Sequence, residues 1–318
     1  MNKINVQRLF SGILAYNYAV VAFASPTITE TDFLAAGKSQ LTISSNLTSE
    51  DTQGSFTTDT GLSLFNTSNS VSNTSTLSFT QGITRFLNIE LIAPYASNSF
   101  ENTTTDGFYT VKIRTEMEGM TNYGAAVNLL IYDGKKAKFS VATNTNFQTG
   151  DDTRGQAEVV TNGQVIQQGK KYGPGKGMKS YLLSSAWSYH NDNVTNVIKT
   201  YFIFLDAASN DNIVQSGDVK GVDLVNYYFI TSNLITELRL KYSHKDKEIT
   251  QNTITSPTST AQLGLYINML AIDSLNIALG GNLGRTFDVK INNRNTGAFF
   301  DFGTMKSGSF GAKASYAF

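Results

Sequence analysis

The feature that most constrains this chain is a period-of-two hydropathy pattern broken by connections of alternating length. In "LNIELIAPY", Leu87, Ile89, Leu91, Ala93 and Tyr95 fall on one face, with Asn88 and Glu90 on the other. "LITELRLKY" sets Leu234, Leu238, Leu240 and Tyr242 against Glu237, Arg239 and Lys241. Such alternation places apolar side chains on one side of a β-strand and polar ones on the other. Strands are predicted at 38–48, 72–84, 87–97, 119–132, 136–148, 177–189, 194–206, 219–231, 234–244, 260–272, 274–287 and 306–318, twelve in all.

Odd-numbered connections are long and rich in Ser, Thr, Asn and Gly: 49–71, 98–118, 149–176, 207–218, 245–259 and 288–305. Even-numbered ones are tight: Thr84-Arg85-Phe86, Asp133-Gly134-Lys135, His190–Asn193, Thr231–Asn233 and Asp273. The Asp133-Gly134 pair suits a two-residue hairpin turn with positive φ. Strict alternation sorts the strand ends onto two sides, as in an antiparallel barrel with short periplasmic turns and long outer loops. A soluble β-sandwich is the competing reading, but its strands usually run about five or six residues. Most segments here run longer, matching a tilted strand across about 25–30 Å of lipid. Charges lie mid-strand, where a dry core would penalise them and a wet lumen would not. The expected fold is an all-β transmembrane antiparallel up-and-down barrel of about 12 strands in a bacterial outer membrane.

Composition narrows the function. The chain has 25 basic and 25 acidic residues, so it lacks the basic excess that nucleic acid binding needs. With no cysteine and two histidines, disulfides are excluded and little remains for a zinc site; no cofactor or metal is expected. At the amino end, Lys3 and Arg8 precede an apolar run from Leu9 to Ala24 that closes on Ala22-Phe23-Ala24. This reads as a cleaved signal peptide, residues 1–24. Residues 25–37 carry no periodicity and are expected either to stay periplasmic or to fold into the lumen as a plug. The barrel then occupies 38–318. The final stretch, "FGAKASYAF", alternates up to Phe318. In a closed barrel this strand must pair with the first, around Leu41, Ile43, Ser45 and Leu47. Tyr316 and Phe318 also fit the C-terminal signal read by the outer-membrane assembly machinery.

"QGITRFLNIELIAPY" (81–95) resembles a hallmark of a bacterial outer-membrane family named for the meta-cleavage pathway of phenol degradation. Gly82, Ile83, Thr84, Arg85, Leu87, Glu90, Pro94 and Tyr95 match its turn and its strand closing on Pro-Tyr. "FQTGDD" (147–152) is similar to the family's Pro-Thr-Gly-Asp strand end, with Gln148 in place of proline, and a Gly-Asp pair is represented only by Gly119-Met120. The resemblance implies an outer-membrane barrel admitting small, often aromatic, compounds.

Facing away from the lipid near mid-height are Glu90, Lys199, Asp223, Glu237, Arg239, Lys241 and Lys313, the candidate pore lining, with Lys138 and Lys179 nearer the ends and Arg285 near the outer mouth. Asp223 is expected near Lys241 and Lys199, so opposite charges on adjacent strands brace the wall as readily as they bind solute. Basic residues outnumber acidic ones, which predicts an anion-leaning lumen. Aromatics at strand ends (Tyr95, Tyr123, Phe147, Trp187, Tyr242, Phe310, Phe318) fit interfacial girdles. The expected partners are outer-membrane lipid and lipopolysaccharide, the assembly machinery and a small-molecule solute. Two other classes compete with a passive channel. A barrel hydrolase needs a nucleophile and base, and neither His190 nor His244 has a sequence-local partner; the chain is read as no enzyme. A surface-display barrel would use the long loops. Their Asn66, Asn73 and Asn102 triplets match a glycosylation pattern by chance, and the Asp151-Asp152 pair, of the type that could hold calcium at a rim, reads as solvated. "GKKYGPGKG" (169–177) lacks phosphate-loop spacing.

Overall fold

A computed structural model of the chain describes residues 29, 31–57, 63–121, 123–147, 155–161, 163–171, 179–206, 213–215, 217–250, 253–272, 274–293 and 299–318. The predicted signal peptide lies outside the described residues. All regular structure described is strand: β1 (Ser39–Thr57), β2 (Ser63–Thr84), β3 (Leu87–Thr105), β4 (Thr110–Met120), β5 (Tyr123–Asp133), β6 (Ala137–Phe147), β7 (Gly155–Thr161), β8 (Gln164–Lys171) and β9 (Lys179–Asn191). The remainder are β10 (Val194–Asp206), β11 (Ile213–Gln215), β12 (Val219–Thr231), β13 (Leu234–Lys245), β14 (Glu248–Thr250), β15 (Thr253–Thr255), β16 (Thr258–Ile272), β17 (Leu275–Asn293) and β18 (Phe299–Ala317).

Twelve antiparallel staves close on themselves. β4 and β5 act as a single stave: β3 pairs with β5 through Leu87–Ile92 and with β4 through Tyr95–Thr105. The order then runs through β6, β9, β10, β12, β13, β16, β17 and β18. β18 returns to β1 with Leu41 opposite Tyr316, Ile43 opposite Ala314 and Leu47 opposite Phe310. Ser39 and Phe318 exchange two backbone hydrogen bonds of 2.9 and 2.8 Å. The seam is therefore the one the sequence demands, because an unpaired edge in lipid leaves backbone donors and acceptors unsatisfied. Following the register once around from Leu87 ends at Glu101, a stagger of 14 residues. With twelve strands about 4.8 Å apart, that stagger gives a tilt of about 40° and a backbone radius of roughly 12 Å.

The pleat is inverted relative to a soluble sandwich. Leu91, Ile43, Leu265 and Leu183 are 57, 57, 55 and 56% exposed on the outer surface, whereas Asn88 and Glu90 are 2 and 7% exposed on the inner one. The aromatics named above all stand on the outer surface: Tyr95, Tyr123, Phe147, Trp187, Tyr242, Phe310 and Phe318. Among the described residues no helix is long and apolar enough to cross a membrane.

Two expectations change. The predicted strands are too short on the outer side: β1, β2, β3, β17 and β18 extend well into segments read as loops, and β4, β7 and β8 lie wholly or mostly within 98–118 and 149–176. The β1 and β2 extensions are mostly Ser, Thr and other polar residues, whereas β3, β4, β17 and β18 bury Phe100, Ile113, Met117, Val289, Ile291 and Phe302, the reverse of the lipid-facing pattern that marks the rest of the strands. The Asp133-Gly134 turn is a three-residue connection, with Gly134 N donating to Ala137 O at 2.9 Å and no positive φ at Gly134. Its lack of a side chain instead admits the Tyr132 phenol. Among the described residues of the tight turns, the left-handed one is Asp192, at φ 39°.

Candidate functional site

The inner face carries the charged residues. Lys199 on β10, Asp223 on β12 and Lys241 on β13 stand directly opposite one another across three adjacent staves. The register follows from the tight Thr231–Leu234 turn, which fixes how β12 folds against β13. Asp223 is 5% exposed. Tyr201, two residues above Lys199, lays its ring toward β13, with the Lys241 ammonium 5.3 Å from the ring centroid. Space for the ring comes from Gly221, where a Cβ would collide with the phenol and with the Tyr242 carbonyl.

Nearer the periplasmic turns is a second group. The Arg239 guanidinium holds Glu237 Oε1 through two contacts, 3.0 Å from Nη2 and 3.1 Å from Nε. Lys313, 9% exposed on β18, lies within electrostatic range of Glu237, Glu90 and Arg239. Tyr266 sits between Gly264 and Gly280 beside this group, and a Cβ at Gly280 would strike its ring and the Leu265 carbonyl. All seven candidate residues of the sequence reading thus share the inner surface, in two neighbouring clusters. Lys179 and Arg285 do not: both are exposed on the outer face, Arg285 opposite Ala261 and Lys306. At a barrel rim, an outward charge meets head groups and water rather than acyl chains, so it carries no penalty there.

Apolar surface brackets the charges. On the outer side, Leu182, Tyr201, Ile203, Leu205 and Val219 form one inward cluster. Phe100, Ile113 and Met117 line the inner face of β3 and β4, again buried. On the periplasmic side, Ala186, Val197, Val225, Tyr227 and Ile235 pack together, with Val197, Val225 and Ile235 each 1% exposed. Inward aromatics and this outer apolar collar were missed from sequence, because a strand tyrosine reads as girdle and the collar falls partly in segments read as loops. A buried ion pair, Lys245 Nζ to Glu248 Oε2 at 2.8 Å, caps the β13 side of the outer rim.

Against expectation, both histidines have partners close in sequence. His190, expected in a turn, belongs to β9; its Nδ1 lies 2.9 Å from Thr195 Oγ1 and its Nε2 3.4 Å from Ser188 Oγ. His244 Nδ1 is 3.1 Å from Ser259 Oγ, and its Nε2 is 3.5 Å from Asp246. This outward-facing rim set makes a poor nucleophilic triad: Asp246 is also 3.5 Å from Lys220, and Ser259 Oγ accepts from the Tyr242 hydroxyl at 3.1 Å. Asn66 and Asn102 point inward at 6 and 4% exposure, which removes them as glycan acceptors. Asp151 and Asp152 lie outside the described residues.

A closed twelve-stranded barrel, greasy outside and charged within, defines an outer-membrane β-barrel. Among solved structures, the chain is similar to an outer membrane channel from Pseudomonas putida F1, with a TM-score of 0.57 at 12% identity, covering 93% of this chain and 100% of that one. The toluene transporter TbuX of Ralstonia pickettii gives a TM-score of 0.45 at 10% identity, covering 89% of this chain and 90% of that one. A Pseudomonas aeruginosa FadL homologue gives 0.44 at 10% identity, covering 88% and 90%. No family model matches the sequence, and no curated protein does.

Proposed function

We propose that this protein is a passive outer-membrane channel for small organic molecules, and that Lys199, Asp223, Lys241, Glu90, Glu237, Arg239 and Lys313 line its path. The observation that carries the reading is the Lys199–Asp223–Lys241 rung, in register on adjacent staves beneath an apolar collar. Two lysines flank one aspartate in the rung, and four cations meet three anions over the two clusters together, which favours negatively charged solutes. The collar directly above favours an apolar or aromatic body. A small carboxylate carried on a ring satisfies both halves: the collar desolvates the ring while the lysines meet the carboxylate. The resemblance of residues 81–95 to the phenol meta-cleavage family supports the same solute class.

Reconstitution into liposomes tests this. Swelling in benzoate-type acids should exceed swelling in sugars of similar mass, and a salt gradient across a planar bilayer should give a reversal potential of anion-selective sign. The β3–β4 hairpin, which extends beyond the lipid belt and exposes Phe108 and Tyr109 at its tip, favours surface display as the second reading. Absence of flux for every solute would select it.

A further inference from the structure

We infer that Arg285 and Lys306, on the lipid-facing side of β17 and β18 at the outer rim, form a binding site for the phosphorylated saccharide head of lipopolysaccharide. The inference rests on the barrel and its orientation and is independent of the solute path. Both side chains are exposed on the outer surface, directly opposite one another in the antiparallel ladder. Such a pair holds its β-carbons about 5 Å apart, and like charges so placed repel. The flanking staves do not neutralise them. On the β16 side Arg285 meets Ala261, and Asp288 lies further up β17, beyond Phe287. On the β1 side Lys306 meets Asp51, yet among the described residues no salt bridge joins those two or reaches Arg285. Even with Asp51 counted, two cations meet one carboxylate, so a multiply charged anion relieves the repulsion.

Depth selects a lipid head group as the source of that anion. The outward row that starts at the girdle residue Tyr242 runs through Ala261 to Arg285 and Lys306. With staves tilted by about 40°, each step along the row climbs roughly 3 Å, so the two cations stand about 6–9 Å above the girdle. That is head-group level on the side of the long loops, the leaflet built of lipopolysaccharide. Directly below them the wall carries a dent. Gly281 on β17 stands opposite Phe310, and Gly308 on β18 opposite Leu283, all four on the lipid face. The two glycines are thus diagonal neighbours, flanked by Leu283 and Phe310 at 72 and 62% exposure. A Cβ on Gly308 would find only Leu283 Cδ2 within 4 Å, at 3.8 Å, so the space over it is open. An acyl chain fills such a dent while its head group reaches the cations. A free phosphate ion uses the cations alone; a phosphorylated amphiphile uses both halves of the site.

Native mass spectrometry of the detergent-solubilised barrel tests this, with purified lipid A and its dephosphorylated form as probes. The parent protein should retain the phosphorylated form in strong preference. Equal retention of the two would overturn the site, and this arm needs no variant. Arg285→Gln/Lys306→Gln should lower lipid A retention roughly 30-fold, about fivefold for each interfacial base. Lys179→Gln, which removes another exposed rim base, should leave retention unchanged. An equal loss there would assign the effect to the charge of the whole rim and overturn the pair's role. Gly308→Leu fills the dent without meeting backbone and should weaken retention while the barrel still runs as a folded, heat-modifiable band. Full retention by that variant would remove the acyl seat. Excess inorganic phosphate should fail to displace lipid A; displacement would reduce the site to one for free anions and overturn the lipid assignment.

Discussion

Replacing Leu265 by arginine tests the inverted pleat where it is most exposed to refutation. Leu265 is 55% exposed on the outer surface and stands opposite Leu238 and Gly281. Four residues up the same stave is Ala261, opposite the girdle residue Tyr242. At a rise of 3.3 Å tilted by about 40°, each residue climbs about 2.5 Å along the barrel axis. Leu265 therefore lies about 10 Å below the girdle, close to the middle of an apolar band about 25 Å tall. A cationic side chain there should cost about 2–4 kcal/mol, against about 0–1 kcal/mol near the interface at Ala261→Arg. The first figure is roughly a 30- to 900-fold loss in the folded-to-unfolded ratio. Reversible denaturant unfolding in lipid vesicles measures it, with Trp187, the single tryptophan, as the fluorescent reporter on the outer face. Equal costs at positions 265 and 261 would refute the assignment of this face to lipid, as would a Leu265→Arg protein that is soluble and monomeric without detergent.

Asp223→Asn leaves Lys199 and Lys241 facing each other, so the reversal potential in a salt gradient should move toward anions, and Lys241→Gln should move it back; no shift in either would take the rung out of the ion path. Arg239→Gln strips Glu237 of both its guanidinium contacts in a site where the two side chains are 17 and 11% exposed, and should destabilise by about 1.5–3 kcal/mol in the same unfolding assay. Gly221→Val forces the Tyr201 ring aside and crowds a backbone carbonyl, an overpacking cost of about 1–3 kcal/mol; Tyr201→Ala in that background should recover only the ring's share. On the outer hairpin, Lys112 and Arg114 hold the Glu101 carboxyl below its usual range, and the Tyr109 and Phe108 amides do the same for Asp106. A lowered folded pKa gives stability that is present above the ordinary carboxylate range and lost as pH falls through the folded value. Amide protection in the β3–β4 hairpin, taken against the intrinsic exchange rate at each pH, should therefore fall on acidification before that of the barrel ladder does.

Where an outward leucine alternates with an inward polar residue, as in 87–95 and 234–242, the sequence predicts both the strand and its orientation. Above the lipid, water lies on both sides, so Ser70, Asn98 and Thr103 carry no alternation although each sits in a paired strand. The inward charges were legible because parity on a strand is rigid: once Leu238 and Leu240 face lipid, Glu237, Arg239 and Lys241 face the other way. Parity turns Tyr201 and Tyr266 inward too, but the room for their rings comes from Gly221 and Gly280 directly opposite on the next stave, a relation visible only after the register is known. Lys179 and Arg285 failed for the opposite reason: their strands' parity already pointed outward, and charge alone argued for the lumen. The Thr31–Ser188 hydrogen bond has no local signal at all, being a contact between a non-periodic segment and a strand 157 residues away.

The Ser39–Phe318 seam sets a kinetic requirement on biogenesis. Its two sides are separated by about 280 residues, and bringing such distant ends together costs about 5 kcal/mol of chain entropy before any ladder bond forms. Every other pairing joins near neighbours in sequence, so an arc of all twelve staves can grow locally through eleven pairings while its two rims stay raw. Zipping must come last, and until it does the arc presents two long unsatisfied edges to whatever adjoins them. A helper that shields both rims, and lets go only as they meet, removes the hazard that this topology makes unavoidable.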